Sequence, residues 1–170
     1  MRRPRFTTSR FAALALAPLL AVLAAPLPAA AQQAVPYYFW ITSTRSVKCL
    51  TVADASTADG APLTQQGCDE AAYNQYWTFI HVEGDYYLLA VRHSAKCLTI
   101  ANAGVADWTL AVQQPCDRDD TSQQWSFPPV GGNNNLAMAR HSAKCLTEYG
   151  VAVVQRTCNG RTNQQWRLGF

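Results

Sequence analysis

The sequence is poor in the residues from which metal centres are built. Its 170 residues include only three histidines, and none of its six cysteines stands in a CxxC pair. Structural zinc sites usually take closely spaced cysteine or histidine ligands. A metal site is therefore not expected, and nothing in the sequence indicates another cofactor.

Helical periodicity is also lacking. Outside an apolar stretch near the N-terminus, no useful length of chain repeats apolar residues at the spacing of an amphipathic helix. Short apolar segments instead alternate with turn formers such as "EGD" and "NAG", which is typical of an all-β sandwich or barrel. The sequence therefore predicts an all-β domain.

Long hydrophobic runs are confined to the first 31 residues. A basic start is followed by an apolar run and by small residues at Ala29 and Ala31, the pattern of a secretory signal peptide cleaved after Ala31. A membrane anchor is the alternative, but prolines crowd the run, and it is shorter than the ~20 residues of a bilayer span. We expect a secreted protein, extracellular or periplasmic, with no membrane span after signal removal.

Without residues 1–31, the chain has no excess of positive charge. The chain has 14 Lys and Arg against 11 Asp and Glu, but four of the arginines lie in residues 1–31, which carry no acid. Residues 32–170 therefore have a formal net charge of −1. A nucleic-acid partner is not expected, because such proteins usually present a strongly basic surface.

A repeated octapeptide dominates the rest of the chain. "RHSAKCLT" occupies residues 92–99 and 140–147, and a looser copy, "TRSVKCLT", occupies residues 44–51. Each copy contains one cysteine, and a second cysteine and a tryptophan follow it in phase. The third unit lacks about seven residues, six of them between its cysteines. We predict three repeats of four short strands, at about residues 36–82, 83–130 and 131–170, with pseudo-threefold symmetry.

The repeat also favours one disulfide pairing. Six cysteines allow 15 connectivities, and an exported protein permits disulfides. Threefold repetition favours the one arrangement in which every repeat forms the same bridge, namely Cys49–Cys68, Cys97–Cys116 and Cys145–Cys158. Each bridge would contribute ~3 kcal/mol by restricting the unfolded chain.

The motifs that end each repeat resemble the ricin B-type lectin family. Its Gln-x-Trp motif occurs three times, as "QYW" ending at Trp77, "QQW" ending at Trp125 and "QQW" ending at Trp166. The resemblance implies a β-trefoil that binds glycans or glycoconjugates. It places the three tryptophans in a shared core, where large aromatic side chains usually lie. The neighbouring glutamines are expected to hydrogen-bond the backbone, and the family also uses them at the sugar pocket.

The family's sugar pocket is only partly retained. The resemblance implies an Asp two residues after the first cysteine, an aromatic residue two before the second, and the Asn and Gln of Asn-Gln-x-Trp. Here the Asp position holds threonine, the aromatic position holds Gln or Arg, and repeat two has Ser122 in place of Asn. The candidate carbohydrate-binding residues by this correspondence are Thr51, Gln66, Asn74, Gln75, Thr147, Arg156, Asn163 and Gln164. Neutral partners are weaker than carboxylates, so weak binding per site is expected.

Departures from the symmetry supply further candidates. Trp108 stands where repeat one has Gly60, so it either offers a stacking surface for a sugar or covers a loop. Glu148 is a possible shifted acceptor, and His93 and His141, at equivalent positions, are expected to pack. Repeat three is basic, which either attracts acidic glycans or anionic lipid or is simply solvated surface.

Catalytic groups do not stand out. The acids cluster in turns such as Asp69-Glu70 and Asp119-Asp120, and no nucleophile and base are paired. The sequence therefore predicts a secreted, non-catalytic, lectin-like protein. The alternative is a protein-binding trefoil, either a toxin attachment subunit or a secreted protease inhibitor, for which no clear reactive loop is visible.

Overall fold

The computed structural model describes residues 36–169, and the predicted signal peptide lies outside the described residues. Fourteen strands, all in antiparallel pairs, make up this part of the chain. Repeat one contains β1 (Phe39–Ser43), β2 (Cys49–Val52), β3 (Leu63–Gln66) and β4 (Tyr76–Glu83). Repeat two contains β5 (Tyr86–Val91), β6 (Cys97–Ile100), β7 (Ala111–Gln114), β8 (Trp125–Ser126) and β9 (Pro129–Gly131). Repeat three contains β10 (Asn134–Leu136), β11 (Met138–Ala139), β12 (Cys145–Tyr149), β13 (Ala152–Arg156) and β14 (Gln165–Gly169).

The first and last strands of the repeats form a closed ring. β1 pairs with β4, β4 with β5, β5 with β8, and β8 with β11. β10, which precedes β11 in the same repeat, pairs with β14, and β14 returns to β1. The middle strands of each repeat pair as hairpins, β2–β3, β6–β7 and β12–β13. This arrangement is the β-trefoil that the sequence predicts.

Two of the twelve expected strands are each divided in two, which accounts for the fourteen observed. The last strand of repeat two ends at Ser126 and resumes at Pro129. Pro128 and Pro129 have no backbone N–H, so two donors are missing from the ladder here, and the Leu136 N–H to Pro128 carbonyl bond at 3.0 Å bridges the gap. The facing strand of repeat three is interrupted at Ala137, whose carbonyl accepts from the Leu146 N–H at 2.8 Å instead.

The three tryptophans of the Gln-x-Trp motifs fill the core, as predicted. Trp77, Trp125 and Trp166 have no exposed surface. Each indole N–H donates to the carbonyl of the leucine that follows the first cysteine of its own repeat, over 3.0–3.1 Å. A buried indole N–H needs such an acceptor. Each core side chain is therefore tied to the hairpin of its own repeat.

The three disulfides are those predicted from the repeat: Cys49–Cys68, Cys97–Cys116 and Cys145–Cys158. In each, the first cysteine is buried at the start of the second strand of its repeat. The second lies after the third strand, at the outer end of the hairpin. The bridge thus closes the end of the hairpin that lies farthest from its connecting loop.

A buried glutamine joins each repeat to the loop of the one before it. The Gln113 side chain accepts from the Ser94 hydroxyl at 2.8 Å and donates to the carbonyls of Ser56 and Ala58 at 2.8 and 2.9 Å. Gln155 repeats the arrangement 42 residues later, accepting from Ser142 and donating to loop carbonyls of repeat two at 2.6 and 3.0 Å. We call this arrangement the inter-repeat clamp.

The octapeptide supplies the rest of the inter-repeat clamp. The Nε2 atom of His93 donates to the Ser56 carbonyl at 2.9 Å, and Nε2 of His141 donates to the Gly104 carbonyl at 3.0 Å. This confirms the packing role expected for both histidines. Lysines of the same segments form the ion pairs Lys96–Asp59 and Lys144–Asp107.

The third junction is weaker, and this explains why the first octapeptide copy is looser. Gln65 accepts from the Ser46 hydroxyl at 2.9 Å, as the other clamp glutamines do from their serines. The loop of repeat three is the shortened one, so Gln65 donates only to the Gly150 carbonyl, at 3.5 Å. Repeat one accordingly has Arg45 where the other copies have histidine. The sequence "RHSAKCLT" is strict where a full-length loop has to be held.

Replacing the clamp glutamine tests this account. Gln113→Ala should lower the free energy of unfolding by roughly 2–4 kcal/mol, because three hydrogen bonds are lost, one from the Ser94 hydroxyl and two to loop carbonyls, and a void remains. Gln65→Ala, the matched control, removes the equivalent bond from the Ser46 hydroxyl but only one long bond to a loop carbonyl, so it should cost about 1–2 kcal/mol less. Urea unfolding with the disulfides intact measures both, and equal losses would contradict the clamp.

The Lys144–Asp107 pair predicts an acid-sensitive contribution to stability. A hydrogen bond from Lys144, supported by the N–H and hydroxyl of Thr157, holds the pKa of Asp107 below its usual value of 3.8. Because the folded pKa is the lower one, this contribution is complete above the unfolded pKa and is lost as pH falls through the folded pKa. Asp107→Asn should be less stable than the wild type at about pH 6, with the gap closing below about pH 4. A gap that stays constant in urea unfolding from pH 6 to pH 2 would refute the coupling.

Candidate functional site

A polar recess of about 610 Å³ opens beside the β6–β7 hairpin of repeat two. It lies at the position where the family resemblance places a sugar pocket, between the hairpin, the loop after Cys116 and the short 3₁₀ turn Thr121–Gln123. Its polar side chains are those of Thr99, Asn102, Gln114, Asp117, Asp120, Ser122 and Gln123. None of the described residues that line it is aromatic.

Asp120 is the best-positioned carboxylate in this recess. It precedes the 3₁₀ turn, and its Oδ1 atom accepts from the Ser122 N–H at 2.8 Å and from the Ser122 hydroxyl at 2.6 Å. A short acidic side chain is favoured at such a capping position. The Ser122 hydroxyl lies 2.9 Å from the hydroxyl of buried Thr99. One carboxylate and two hydroxyls therefore form a fixed polar row.

Gln123 shapes the wall of the recess. Its side chain accepts from the Asp117 N–H and donates to the Pro115 carbonyl, both at 3.0 Å. Gln75 and Gln164 bond the corresponding loops of the other repeats, over 2.7–3.1 Å. The backbone role expected for these glutamines is confirmed. Both polar ends of each amide are used to hold the loop after the second cysteine.

The threonines and asparagines predicted in repeats one and three are also engaged in the fold. The hydroxyls of buried Thr51 and Thr147 donate to the carbonyls of Cys49 and Cys145 at 2.8 Å. The Asn74 amide donates to the Val52 carbonyl at 2.8 Å, and that of Asn163 to the Glu148 carbonyl at 3.2 Å. Gln66 is exposed at the end of β3. The Glu148 carboxylate is buried and accepts from the Ser43 hydroxyl.

Sequence comparison of the repeats missed Asp120 because it occupies a position that the family correspondence does not use. Replacing Asn by Ser122 removes one family residue, but it also creates the "DTS" capping segment that orients the carboxylate. The segment itself was the available signal, since Asp two residues before Ser at a turn is a typical capping pattern. The link to Thr99, 23 residues away, appears only in the folded chain.

A second exposed surface joins repeats two and three. The structure brings together two predicted candidates, Trp108 and Arg156, with Tyr149 beside them. The Arg156 guanidinium lies 3.9 Å above the centre of the Trp108 ring, and the Tyr149 ring meets the indole edge-on at 4.8 Å. Trp108 is 48% exposed and Tyr149 59% exposed. We call these three residues the aromatic platform.

The backbone of the aromatic platform is strained. Trp108 has a φ of +75°, close to the +76° of Gly60 at the equivalent place in repeat one. A bulky residue in this left-handed region costs on the order of 1 kcal/mol or more. The loop is anchored there by the Trp108 N–H, which donates to the Gln155 carbonyl at 2.9 Å. Such strain is typical of positions kept for function.

Residues 36–169 contain neither a metal-binding cluster nor a membrane-spanning helix. No group of three or more His, Cys, Asp and Glu side chains within this range could hold a metal ion. The same part of the chain contains no helix long and apolar enough to cross a bilayer.

Comparisons with known proteins agree with this architecture. The model of the ricin-type β-trefoil lectin domain matches residues 37–166. A designed threefold-symmetric protein, ThreeFoil, is 34% identical over 78% of this chain and 98% of its own, with a TM-score of 0.74. A search of curated proteins found no match.

Two more distant structures share the fold. An exo-β-1,3-galactanase from Clostridium thermocellum is 24% identical over 78% of this chain, with a TM-score of 0.73, and this chain spans 30% of its length. A Polyporus squamosus lectin, solved with a sialylated trisaccharide, is 14% identical over 81% of this chain and 50% of its own, with a TM-score of 0.67. Three in-phase Gln-x-Trp repeats and the match over residues 37–166 place the chain in the ricin-type β-trefoil lectin family.

Proposed function

We propose that this protein is secreted and binds carbohydrate without catalysis, through the recess of repeat two. The observation that carries the proposal is the row formed by Asp120, Ser122 and Thr99. Vicinal sugar hydroxyls are donors as well as acceptors, and a carboxylate can accept from two of them. Family membership makes a glycan the most natural ligand for such a recess.

Asp120 takes over the part that the family assigns to an aspartate after the first cysteine. Hydrogen bonds to an ionised acceptor are roughly twice as strong as those between neutral groups. The capping bonds from Ser122 hold the carboxylate in place before a ligand arrives. Less side-chain freedom is then lost on binding, which favours affinity.

The affinity of this single recess should be modest. No aromatic residue among those described lines it, so the apolar face of a sugar ring has no stacking partner there. Useful avidity would come from several sites engaging one branched or repeating glycan, since linked contacts raise the effective concentration of the next.

A protein partner is the second candidate, and an aromatic cluster in repeat one favours it. The Arg92 guanidinium lies 4.0 Å from the centre of the Tyr73 ring and 5.4 Å from that of Tyr38. Tyr73 is 51% exposed. Tyrosine and arginine are enriched at protein interfaces. Absence of binding on the glycan array described next would favour this alternative.

Asp120→Asn tests the recess. Asparagine keeps the oxygen that caps the turn, so the fold should be unchanged, but the charge is lost. On an array of galactose-, glucose-, mannose- and N-acetylglucosamine-terminated glycans, the wild type should bind at least one. For the glycan that the wild type binds most tightly, Asp120→Asn should raise the Kd about tenfold, which corresponds to the loss of one charge-assisted hydrogen bond.

The neighbouring Asp119→Asn is the matched control, because it removes the same charge one residue away and does not line this recess. It should leave Kd within about twofold of the wild type, since surface charges contribute little. Equal losses in both variants would overturn the assignment of the recess, as would an array on which the wild type binds nothing.

A further inference from the structure

We infer that the aromatic platform of Trp108, Tyr149 and Arg156 is a second saccharide site, which takes a sugar ring bearing a carboxylate. The inference rests on the proposed function for the class of ligand, but it concerns different residues. It is carried by a guanidinium that has no anionic partner and lies against an exposed indole.

Arg156 is the basic residue of repeat three that lies over an exposed aromatic ring without being in an ion pair. Lys144 and Arg140 are in ion pairs, and the Arg167 guanidinium donates to Asn134. The three ion pairs among the described residues do not include Arg156. Its Nε atom is buried without a hydrogen-bond partner. Its charge is therefore not neutralised by any acidic side chain among the described residues, and an anion can pair with the exposed Nη edge of the group.

Stacking prepares the guanidinium for a planar acid. Its N–H donors lie in the plane of the group, so an arginine lying over a ring keeps its edges for hydrogen bonding. A carboxylate matches this edge with two parallel bonds. Because Arg156 lies 3.9 Å above the indole, the fork is already positioned before a ligand arrives.

The two exposed rings supply what the recess of repeat two lacks. A sugar ring presents a C–H face that packs on an aromatic surface, and both Trp108 and Tyr149 keep about half of their surface exposed. Trp108 keeps its ring here although its backbone has a positive φ, which glycine would adopt without strain. One ligand can therefore use a ring and the guanidinium together.

These features select an acidic sugar over other anions. The platform contains a single unpaired guanidinium, whereas polyanionic lipid surfaces are usually bound by clusters of several basic residues. A bare anion would leave the two aromatic rings unused. Uronic acids and sialic acids share the required chemistry, a carboxylate on a saccharide ring.

The test uses paired acidic and neutral probes. Titration calorimetry would compare trigalacturonate with its methyl ester, and 3′-sialyllactose with lactose. The wild type should bind at least one acid with a Kd at least tenfold lower than that of its neutral counterpart, and the responding pair identifies the source of the carboxylate. No preference for either acid overturns the inference.

Three variants locate the site. Arg156→Gln and Trp108→Gly should each raise the Kd for the acidic probe by tenfold or more. Glycine suits the backbone at position 108, so the Tm of Trp108→Gly should stay within about 5 °C of the wild type. Arg161→Gln removes an equal charge from an exposed side chain of the same repeat and should leave Kd within twofold. If the Arg156 and Arg161 changes weaken binding of the acid equally, the preference for the acid comes from net charge alone, and the site is refuted.

Asp120→Asn separates this inference from the proposed function. It should leave the Kd for the acidic probe unchanged and raise the Kd for the neutral glycan. If Asp120→Asn abolishes binding of the acid as well, the acid occupies the recess of repeat two and the platform assignment is wrong. If only the Arg156 and Trp108 variants lose binding, the platform stands even where the recess fails.

Discussion

Main-chain carbonyls in the loops between paired cysteines become partly buried where two repeats meet and need donors, and this requirement governs how the three repeats fit together. The inter-repeat clamp meets it twice with a glutamine amide and a histidine N–H. A carbonyl left without a donor in a partly dry junction is costly, so the segment that supplies the donors cannot vary freely. The strict repetition of "RHSAKCLT" is a consequence. The octapeptide is a structural element of the junction between repeats. Within each repeat, the indole N–H of the core tryptophan supplies the donor for a buried leucine carbonyl.

Both proposed sites lie where the symmetry of the repeats is broken. Trp108 replaces the glycine that the turn prefers, and the shortened loop of repeat three leaves the neighbouring Tyr149 exposed. Ser122 replaces the asparagine of the other repeats and turns Asp120 toward a fixed orientation. Residues that obey the symmetry, such as Gln75, Gln123 and Gln164, are used for structure. A threefold scaffold can tolerate these departures because each repeat keeps its own disulfide and core tryptophan.

The sequence predicted the fold well because its signals are periodic. Cysteines and tryptophans in phase determine the repeat, and the repeat determines the pairing of Cys49 with Cys68 and its equivalents. The candidate site residues stay a prediction. Transfer from the family pointed to Asn74 and Asn163, whose amides are engaged by main-chain carbonyls. The contact of Arg156 with Trp108 joins two repeats, and spacing within one repeat contains no information about it.

Both proposed sites are formed before any ligand binds, and this sets their character. Asp120 is held by capping bonds and Arg156 by a ring, so neither has to order a loop when a sugar arrives. Preorganisation lowers the entropic cost of binding, but it adds no new contact surface. A recess without a ring and a platform with a single charge each offer few interactions. If both proposed sites bind as inferred, strong attachment requires one glycan to occupy both at once. The trefoil holds the two chemically different sites at a fixed separation. It should therefore favour glycans that carry a neutral and an acidic sugar at a matching distance.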